Sequence, residues 1–521
     1  MRLIGDDDVF PEASVSSLGG SPRISSNGEV AVRVRTSFLD TSTFQTVSID
    51  RFYGGDPASP GVVLLENTGT TATTALGIGQ FNSAGQLGYS AKLSTGARFE
   101  PDGIFLDDTL LVAESTAVPV SAGLSAGANF GDGTTGLRFV DIADDGDVFF
   151  LGEYTTNKTG TVNSPGSTLD GRMGPILDQA LFRYDFATGN YSTVLNSGDT
   201  IIDPGASNYT VGASQIDNSS GYEVEPINSA SVSTDGNNYA VRIDVNPISN
   251  VLNVDGITER LAVNGTFATF SDGSPITEEI IAPVAFGGDG VNAVIESINT
   301  FDVNNNGDYA VSLTLGNPTL NSFEDPDATN VLIVNGELVF NSQNTSAIEN
   351  VTLNNDGDIA FTFEESIVVN GSTVLVPGDS TSNGTLFDLT GGIDLSDRDD
   401  SESATLALLG RSNVTGGTNR AFFTMEIDWP AILLGDYNQN GVVDAADYTV
   451  WADSFGSMVD LDADGNGNGV VDAADYTVWQ DNFGNTLNGQ SNTIVIPEPA
   501  MGVVLTWGIA LLSFRRSQRK A

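Results

Sequence analysis

Six segments in the first 430 residues repeat one pattern, a polar turn that ends in glycine followed by a strand of alternating polar and apolar residues. The turn glycines are Gly28, Gly85, Gly146, Gly236, Gly307 and Gly357. Alternation with a period of two predicts a β-strand with one face buried. Asn306-Gly307 and Asp356-Gly357 favour tight hairpins, because both central residues of such a turn need positive φ. The body of the chain is therefore predicted to be mainly β.

Successive turn glycines stand about 50 to 90 residues apart, a spacing that accommodates several short strands per repeat. Further tight turns lie in LAVNGTFATF (261–270), VLIVNGELVF (331–340) and SIVVNGSTVLV (366–376). A repeat of this size fits one blade of a β-propeller. We predict a propeller-like body over 1–430 with six or seven units, the last a degenerate unit at 404–427. The irregular spacing leaves a β-solenoid or several sandwiches as alternatives.

This body resembles the NxxGxxAF-type tandem repeats of bacterial surface proteins. The motif is seen in segments such as ISSNGEVAVRVR (24–35) and VNNNGDYAVSL (303–313). The segment LFRYDFATGNYSTVLNSGDTI (181–201) has the strand–turn–strand form of the same family. The resemblance implies a propeller-like fold displayed at a cell surface.

Eleven residues, GVVDAADYTVW, occur twice, at 441–451 and 469–479. Each copy overlaps a twelve-residue run with oxygen-bearing side chains at positions 1, 3, 5, 9 and 12 and glycine at position 6. This spacing surrounds Ca²⁺ with hard oxygen ligands, and position 7 contributes its backbone carbonyl. A turn repeat without metal is the alternative, but it would leave clustered carboxylates repelling one another. The predicted ligands of two Ca²⁺ ions are Asp436, Asn438, Asn440, Val442, Asp444 and Asp447, and Asp464, Asn466, Asn468, Val470, Asp472 and Asp475.

Each predicted loop is followed by aromatic residues at helical spacing and then by a Phe-Gly pair. These aromatic residues are Tyr448, Trp451 and Phe455, and Tyr476, Trp479 and Phe483. No comparable helix precedes either loop, and position 12 is Asp where an EF-hand normally has Glu. The arrangement resembles a dockerin type I repeat pair over about 433–486. The resemblance implies a cohesin-like or other surface protein as partner. Ala445-Ala446 and Ala473-Ala474 replace the Ser-Thr often found in that family, which leaves the partner open.

The last residues have the layout of an export signal. Pro497, Glu498 and Pro499 precede an uncharged stretch at 500–514, and Arg515 and Arg516 follow it. This pattern resembles a PEP-CTERM sorting signal, which implies a short transmembrane helix, transient anchoring in the inner membrane and removal by an exosortase-type processing enzyme. A plain tail anchor is the alternative, although a helix of about 22 Å is short for a hydrocarbon core of roughly 30 Å. The basic residues place the rest of the chain outside the cytoplasm.

Composition restricts the partners and the chemistry. The chain has 20 Lys+Arg against 68 Asp+Glu, a net charge of −48, which disfavours nucleic acid and anionic lipid surfaces. Histidine and cysteine are absent, which excludes a Ser-His-Asp triad, histidine-ligated zinc, disulfides and thiol chemistry. The start, MRLIGDDDVF, lacks the apolar stretch of a secretory signal, so we expect a truncated or misplaced start.

We predict four segments: the β-repeat body 1–430, the dockerin-like pair 433–486, a linker 487–496 and the sorting segment 497–521. The Asp- and Asn-rich turns of the body are interpreted as solvated hairpin turns rather than cation sites. No nucleophile elbow, phosphate loop or metalloprotease helix is present, so we predict no catalytic residues and no enzyme.

The expected function is that of a non-enzymatic, exported cell-surface or extracellular matrix protein with a calcium-dependent docking or stabilising module. The alternatives are a propeller that binds a glycan or another extracellular polysaccharide, and a dockerin-tethered carbohydrate-active enzyme. The expected location is the cell envelope, the cell surface or the extracellular medium.

Overall fold

The computed structural model describes the chain from Arg2 to Gly484 with internal gaps. It divides into two compact units, Met1–Ile427 and Asp428–Ala521. The gaps are 6–8, 11–12, 56–61, 68–72, 94–100, 125–126, 132–136, 162–172, 205–208, 211–214, 218–221, 225–226, 246–257, 279–281, 284, 286–292, 317–328, 343–345, 382–383, 400–401, 415–416, 429–434, 439–441, 458–462, 464 and 466–469.

The first unit is a seven-bladed β-propeller. Seven antiparallel sheets of four or five strands follow one another along the chain, and the first long strand of each lies innermost. This confirms the predicted propeller with seven units and excludes a solenoid or separate sandwiches. Two short strand pairs, Thr200–Ile201 with Tyr209–Thr210 and Gln215–Asp217 with Tyr222–Val224, accompany the blades, as does a 3₁₀ turn at Val120–Ala122.

The strands of the blades have the following bounds. Blade 1 consists of Val9–Phe10, Ala13–Ile24, Val30–Asp40, Gln45–Gly55 and Val62–Asn67; blade 2 of Thr73–Phe81, Leu87–Leu93, Asp102–Leu106 and Thr109–Ala113; and blade 3 of Arg138–Ile142, Val148–Thr161, Met173–Asp185 and Asn190–Asn196. Blade 4 consists of Ile227–Val232, Tyr239–Val245, Thr258–Val263 and Thr266–Phe267; blade 5 of Val294–Val303, Tyr309–Gly316, Thr329–Val334 and Glu337–Asn341; and blade 6 of Ile348–Leu353, Ile359–Phe363, Ser366–Val369 and Ser372–Leu375. Blade 7 consists of Ser380–Thr381, Gly384–Leu395, Ser403–Val414, Gly417–Asp428 and the N-terminal strand Arg2–Gly5.

The two ends of the propeller meet in blade 7. Arg2–Gly5 pairs antiparallel with Gly417–Asp428, with Ile4 opposite Phe422 and Gly5 opposite Ala421. Backbone hydrogen bonds between the first and the last strand therefore close the ring of blades. The predicted seventh unit at 404–427 covered only part of this blade, because its innermost strand is Gly384–Leu395.

The apolar core of the propeller is a series of layers between neighbouring blades. Successive side chains of a strand point to opposite faces of its sheet. Phe149 accordingly packs with Val232 of blade 4, whereas Phe150 packs with Ile104 of blade 2. All four side chains are at most 4% exposed. Each blade is thus covered on both faces.

The predicted turn glycines connect the innermost strand of a blade to the next strand. All six have φ between 70° and 92°, the left-handed region that glycine reaches without strain. The second set of turns also has the predicted geometry, since Asn264, Asn335 and Asn370 have φ of 48°, 49° and 47°. In addition, the Asn370 side chain accepts a hydrogen bond of 2.9 Å from the Ile359 N–H, which fixes the hairpin to the neighbouring strand.

The second unit contains two helices in its described part, Ala445–Ser454 and Ala473–Asn482. Gly456 and Gly484 follow them with φ of 89° and 90°, which confirms the predicted helix ends. Among the residues described, no helix has the length and apolar character needed to cross a membrane. The predicted sorting residues, from Pro497 to Arg516, and the linker 487–496 lie outside the described part of the chain.

Candidate functional site

The two predicted calcium loops lead into helices with identical N-terminal caps. The Asp444 side chain accepts a hydrogen bond from Ala446 N–H, and the Asp472 side chain accepts one from Ala474 N–H, both at 2.7 Å. In return, the Asp447 carboxylate accepts the Asp444 N–H at 2.8 Å, which completes a capping box. At the start of the second helix, Asp475 accepts the Asp472 N–H in the same way. Loop positions 9 and 12 are therefore held together at the start of each helix.

Position 12 is buried in both loops. Asp447 and Asp475 are 0% exposed. Burial, together with the charges of Asp436 and Asp444, raises the pKa of the Asp447 carboxyl, although N–H groups of Asp444 and Asn438 partly offset this. Carboxylates that raise one another's pKa are the donor set that a hard divalent cation would neutralise. The residues present in the first loop fit a Ca²⁺ site in this respect.

The described residues include eight of the twelve predicted calcium ligands. The other four, Asn440, Asp464, Asn466 and Asn468, lie in gaps of the described chain. Among the described residues, no group of three acidic side chains is arranged to hold a metal ion. The structure therefore brings together positions 9 and 12 of each loop.

The two loop–helix units complete each other through reciprocal hydrogen bonds. Trp451 Nε1 donates to the Asp472 carbonyl, and Trp479 Nε1 donates to the Asp444 carbonyl, both at 2.8 Å. Gly456 N–H donates to the Val471 carbonyl at 2.8 Å and Gly484 N–H to the Val443 carbonyl at 2.9 Å. The same residue of each copy performs the same task in the other copy, which accounts physically for the exact duplication.

The predicted aromatic face is only partly buried. Trp479 is 6% exposed and packs with Tyr437, Val443, Ala463 and Val471. By contrast, two of the predicted aromatic residues of the first copy stay accessible to solvent. Phe455 is 56% exposed and Tyr448 37%.

A second candidate site, which the sequence did not reveal, lies on the propeller axis. The residue five positions before each turn glycine, and its equivalent in blade 7, lines a central cavity. The seven residues, from blade 1 to blade 7, are Arg23, Gln80, Asp141, Ser231, Asp302, Thr352 and Asp394. Their common offset from the turn is the one signal in the sequence that points to them.

The turns themselves close one end of this channel. The residue two positions before each turn glycine joins a circuit of hydrogen bonds around the axis, which we call the turn ring. It runs from Ser26 to Asp144 (3.1 Å), Asp144 to Thr234 (2.7 Å), Thr234 to Asn305 (3.2 Å), Asn305 to Asn355 (2.8 Å), Asn355 to Asp397 (2.8 Å) and Asp397 to Ser26 (3.2 Å). Ser83 joins it through Asp144.

The interpretation of these turns as solvated is therefore wrong for four of their residues. Asn304, Asn354, Asp147 and Asp358 are at most 4% exposed. Asn304 and Asn354 each donate to a carbonyl of the following blade, at 3.1 and 2.9 Å. In a propeller this class of turn meets its counterparts at the axis, so its polar groups are satisfied by other blades rather than by water.

The channel carboxylates differ in their hydrogen bonds. Asp302 accepts from Ser231 Oγ at 2.7 Å and Leu353 N–H at 2.9 Å, and so ties blade 5 to both neighbours. Asp394 accepts from Ile24 N–H at 3.0 Å and Thr352 Oγ1 at 3.0 Å, and ties blade 7 to blades 1 and 6. Among the described residues, Asp141 accepts one hydrogen bond, from its neighbour Ile142 at 2.8 Å. Asp302 and Asp394 thus join blades through hydrogen bonds, whereas the described bond of Asp141 is local.

Burial raises the pKa of the Asp141 carboxyl to about 8, with the nearby Arg23 acting in the opposite direction and Asp302 and Asp394 raising it further. Burial also raises the pKa of Asp302 to about 6. An ordinary aspartate has a pKa near 3.9 in the unfolded chain. Between about pH 4 and 8 these two carboxyls consequently hold more protons in the folded chain than in the unfolded chain, so the stability they contribute falls as pH rises.

We therefore expect the free energy of unfolding of chelator-treated protein to fall by at most about 1.4 kcal/mol per pH unit between pH 6 and 8 on account of Asp141. Urea denaturation at several pH values measures this slope. Asp141→Asn should flatten it, whereas Asp108→Asn, at an exposed turn position, should leave it unchanged. An unchanged slope in Asp141→Asn would contradict the assignment.

Among the described residues, the open end of the channel has no aromatic platform. Its cavity has a volume of about 270 Å³, and Phe301 is the one aromatic residue among its described lining. A larger cleft of about 640 Å³ lies between blades 6 and 7, where Phe363 is again the one aromatic residue among the described lining. Neither has the stacked aromatic surface that would favour a sugar-binding propeller.

Comparisons with known proteins give similarities of fold. Neither a family model nor a curated protein matches the chain. Among solved structures, it is similar to the β-propeller domain of the Trilobed protease from Pyrococcus furiosus, with 10% identity and a TM-score of 0.36 over 81% of this chain and 96% of that one. The acylaminoacyl peptidase of Pyrococcus horikoshii has 9% identity and a TM-score of 0.38 over 81% of this chain, which spans about half (53%) of that peptidase. The polysaccharide lyase Uly1 has 10% identity and a TM-score of 0.31 over 80% and 91% of the two chains.

These comparisons correct the prediction that the chain is not an enzyme. The solved structures that it matches include a peptidase propeller domain, a peptidase and a polysaccharide lyase. The absence of histidine and cysteine excludes particular mechanisms, but it does not exclude catalysis by other residues. At 9–10% identity the likeness concerns the fold, and no activity of those proteins is transferred to this chain.

Proposed function

We propose that this is an exported surface or extracellular matrix protein, in which a C-terminal pair of calcium loops controls docking to a partner protein. The observation that carries the proposal is the reciprocal arrangement of the two loop–helix units, in which each tryptophan donates to the cap residue of the other loop. The cap residues Asp444 and Asp472 are at the same time predicted calcium ligands. Ion binding in one loop is thereby linked to the geometry of the other.

Energetic considerations support a calcium-dependent fold for this unit. About fifty residues bury too little surface to fold firmly without additional constraints. The described core of the unit is small, built around Tyr437, Val443, Ala463, Val471 and Trp479. Ca²⁺ would neutralise the clustered carboxylates and contribute its binding free energy to folding. Loops with three carboxylates each suggest an extracellular-strength affinity, roughly 10⁻⁵ to 10⁻³ M.

The docking surface we propose is the accessible side of the first helix. Tyr448 of this helix is 37% exposed, and Val442 before it and Phe455 at its C-terminal end are 36% and 56% exposed, which leaves apolar side chains accessible to a partner. The partner would be a cohesin-like or other surface protein. Export and surface attachment would follow from the sorting segment, through its proposed recognition by an exosortase-type enzyme.

The test uses the full chain after removal of calcium with a chelator. Calcium should change the emission of Trp451 and Trp479, whose indoles join the two loop–helix units to each other. It should also increase helical circular dichroism. Replacing Asp436 and Asp464, position 1 of each loop, by alanine should abolish both changes. Asp453→Ala removes an exposed charge from the first helix and should leave them intact. Equal calcium responses in the wild type and the double variant would refute the proposed site.

A further inference from the structure

A small chamber lies on the propeller axis beneath the turn ring. Its volume is about 60 Å³, and the ring residues Ser26, Thr234, Asn355 and Asp397 line it on one side. Since one water molecule needs roughly 10–15 Å³ of such volume, the chamber has room for several. Toward the open end it shares its lining with the larger channel cavity. The residues common to both linings are Arg23, Asp141, Asp302, Thr352 and Asp394.

The chamber has an excess of negative charge. Four carboxylates, of Asp141, Asp302, Asp394 and the ring residue Asp397, share the chamber lining with one guanidinium, that of Arg23, so the fully ionised set carries a charge of −3. Asp302 and Asp394 receive hydrogen bonds from neighbouring blades, whereas within the described part of the chain Asp141 accepts one from Ile142 N–H. Charges that protein surrounds in this way are costly unless an opposite charge compensates them.

Gln80 provides an independent sign of a missing ligand. It lines the same chamber and is only 6% exposed. Its Oε1 is buried and has no hydrogen-bond partner among the described residues. Buried side-chain oxygens are nearly always paired, and rotation of the amide by 180° exchanges its oxygen and nitrogen without moving other atoms. An oxygen donor is thus available next to Asp141, on the adjacent blade.

We propose that this chamber binds one hydrated divalent cation, Mg²⁺ or Ca²⁺. Gln80 and Asp141 would contact the ion or its water shell on one side, and Asp302 and Asp394 would reach it through water. Within the described chain no three acidic side chains converge as direct metal ligands, which is why the ion would retain part of its hydration. A charge of +2 offsets most of the negative excess of the chamber, whereas a monovalent ion would offset only one charge of it. The ion would fasten blades 2, 3, 5 and 7 together at the axis.

The site can be tested independently of the calcium loops by working in the Asp436→Ala/Asp464→Ala double variant. Titration calorimetry with MgCl₂ and with CaCl₂ should detect one ion per chain. Asp141→Asn added to this background should weaken binding by about 10- to 100-fold, and Gln80→Leu should weaken it in the same direction. Asp108→Asn, which removes a charge at an exposed turn of blade 2, should bind as the parent does.

Folding of each variant is verified by its circular dichroism and urea midpoint. Asp141→Asn removes one negative charge from the chamber lining, so the metal-free variant should remain folded while losing the rise in midpoint that the ion gives the parent. A parent that binds neither ion at millimolar concentration, or an Asp141→Asn variant that binds as tightly as the parent, would overturn the proposal. The part of the calcium response of the wild type that the double variant loses reports on the loops, so failure of one site is distinguishable from failure of the other.

Discussion

Replacing Trp479 by alanine is expected to abolish the calcium-dependent folding of the C-terminal unit. Trp479 is the largest side chain of its small core and its Nε1 holds the Asp444 carbonyl at 2.8 Å. Truncating a buried tryptophan costs about 3–5 kcal/mol. The entire stability of a unit of about fifty residues is only roughly 3–8 kcal/mol. The measurement is a calcium titration of the full chain followed by tryptophan emission and by helical circular dichroism.

Trp479→Phe is the matched control. It keeps an aromatic ring in the core but removes the N–H, which should cost about 1–3 kcal/mol because the Asp444 carbonyl loses its donor. This variant should still respond to calcium, at higher concentration than the wild type. If Trp479→Ala responded like the wild type, the reciprocal contact would have no part in the calcium response.

The second large effect is expected from Phe182→Ala in the propeller. Phe182 is 0% exposed, and its ring lies 5.1 Å from that of Phe150 and 5.4 Å from that of Phe130, between blades 2 and 3. Removing it leaves a cavity that these rigid aromatic neighbours cannot fill. The free energy of unfolding should fall by about 3–5 kcal/mol, as measured by urea denaturation followed by far-ultraviolet circular dichroism.

Phe186→Ala serves as the comparison for that experiment. It lies four residues further along and is 47% exposed, so its loss should change stability by less than about 1 kcal/mol. Similar losses in both variants would mean that the layer between blades 2 and 3 is not the source of stability that its burial indicates.

The sequence predicts the propeller well where glycine marks the turns. Glycine at 28, 85, 146, 236, 307 and 357 is needed for positive φ, and each of these positions has it. Blade 7 was incompletely predicted because its corresponding turn has no glycine. There Glu402 takes φ of 59°, and the turn is held by Arg398, which donates to Asp358 of blade 6 at 2.6 Å. A long-range ion pair of this kind leaves no local pattern.

The sequence correctly predicts that the turns are polar, but it does not predict what surrounds them. Asn and Asp favour turns whether water or another blade satisfies them, so the sequence alone does not distinguish an exposed turn from the turn ring. Asp141 and Asp302 stand five residues before their turn glycines, which becomes informative only once the innermost strands are known. The hydrogen bonds of Trp451 and Trp479 likewise require the two copies to face each other.

Calcium binding by the two loops is tested most directly by counting the Ca²⁺ ions bound per chain. Equilibrium dialysis of the full chain with radioactive calcium, in the wild type and in Asp436→Ala/Asp464→Ala, separates the loop sites from any other. We predict that the double variant binds two ions fewer per chain than the wild type, while Asp453→Ala binds as many. The same number of ions in the wild type and the double variant would contradict the account.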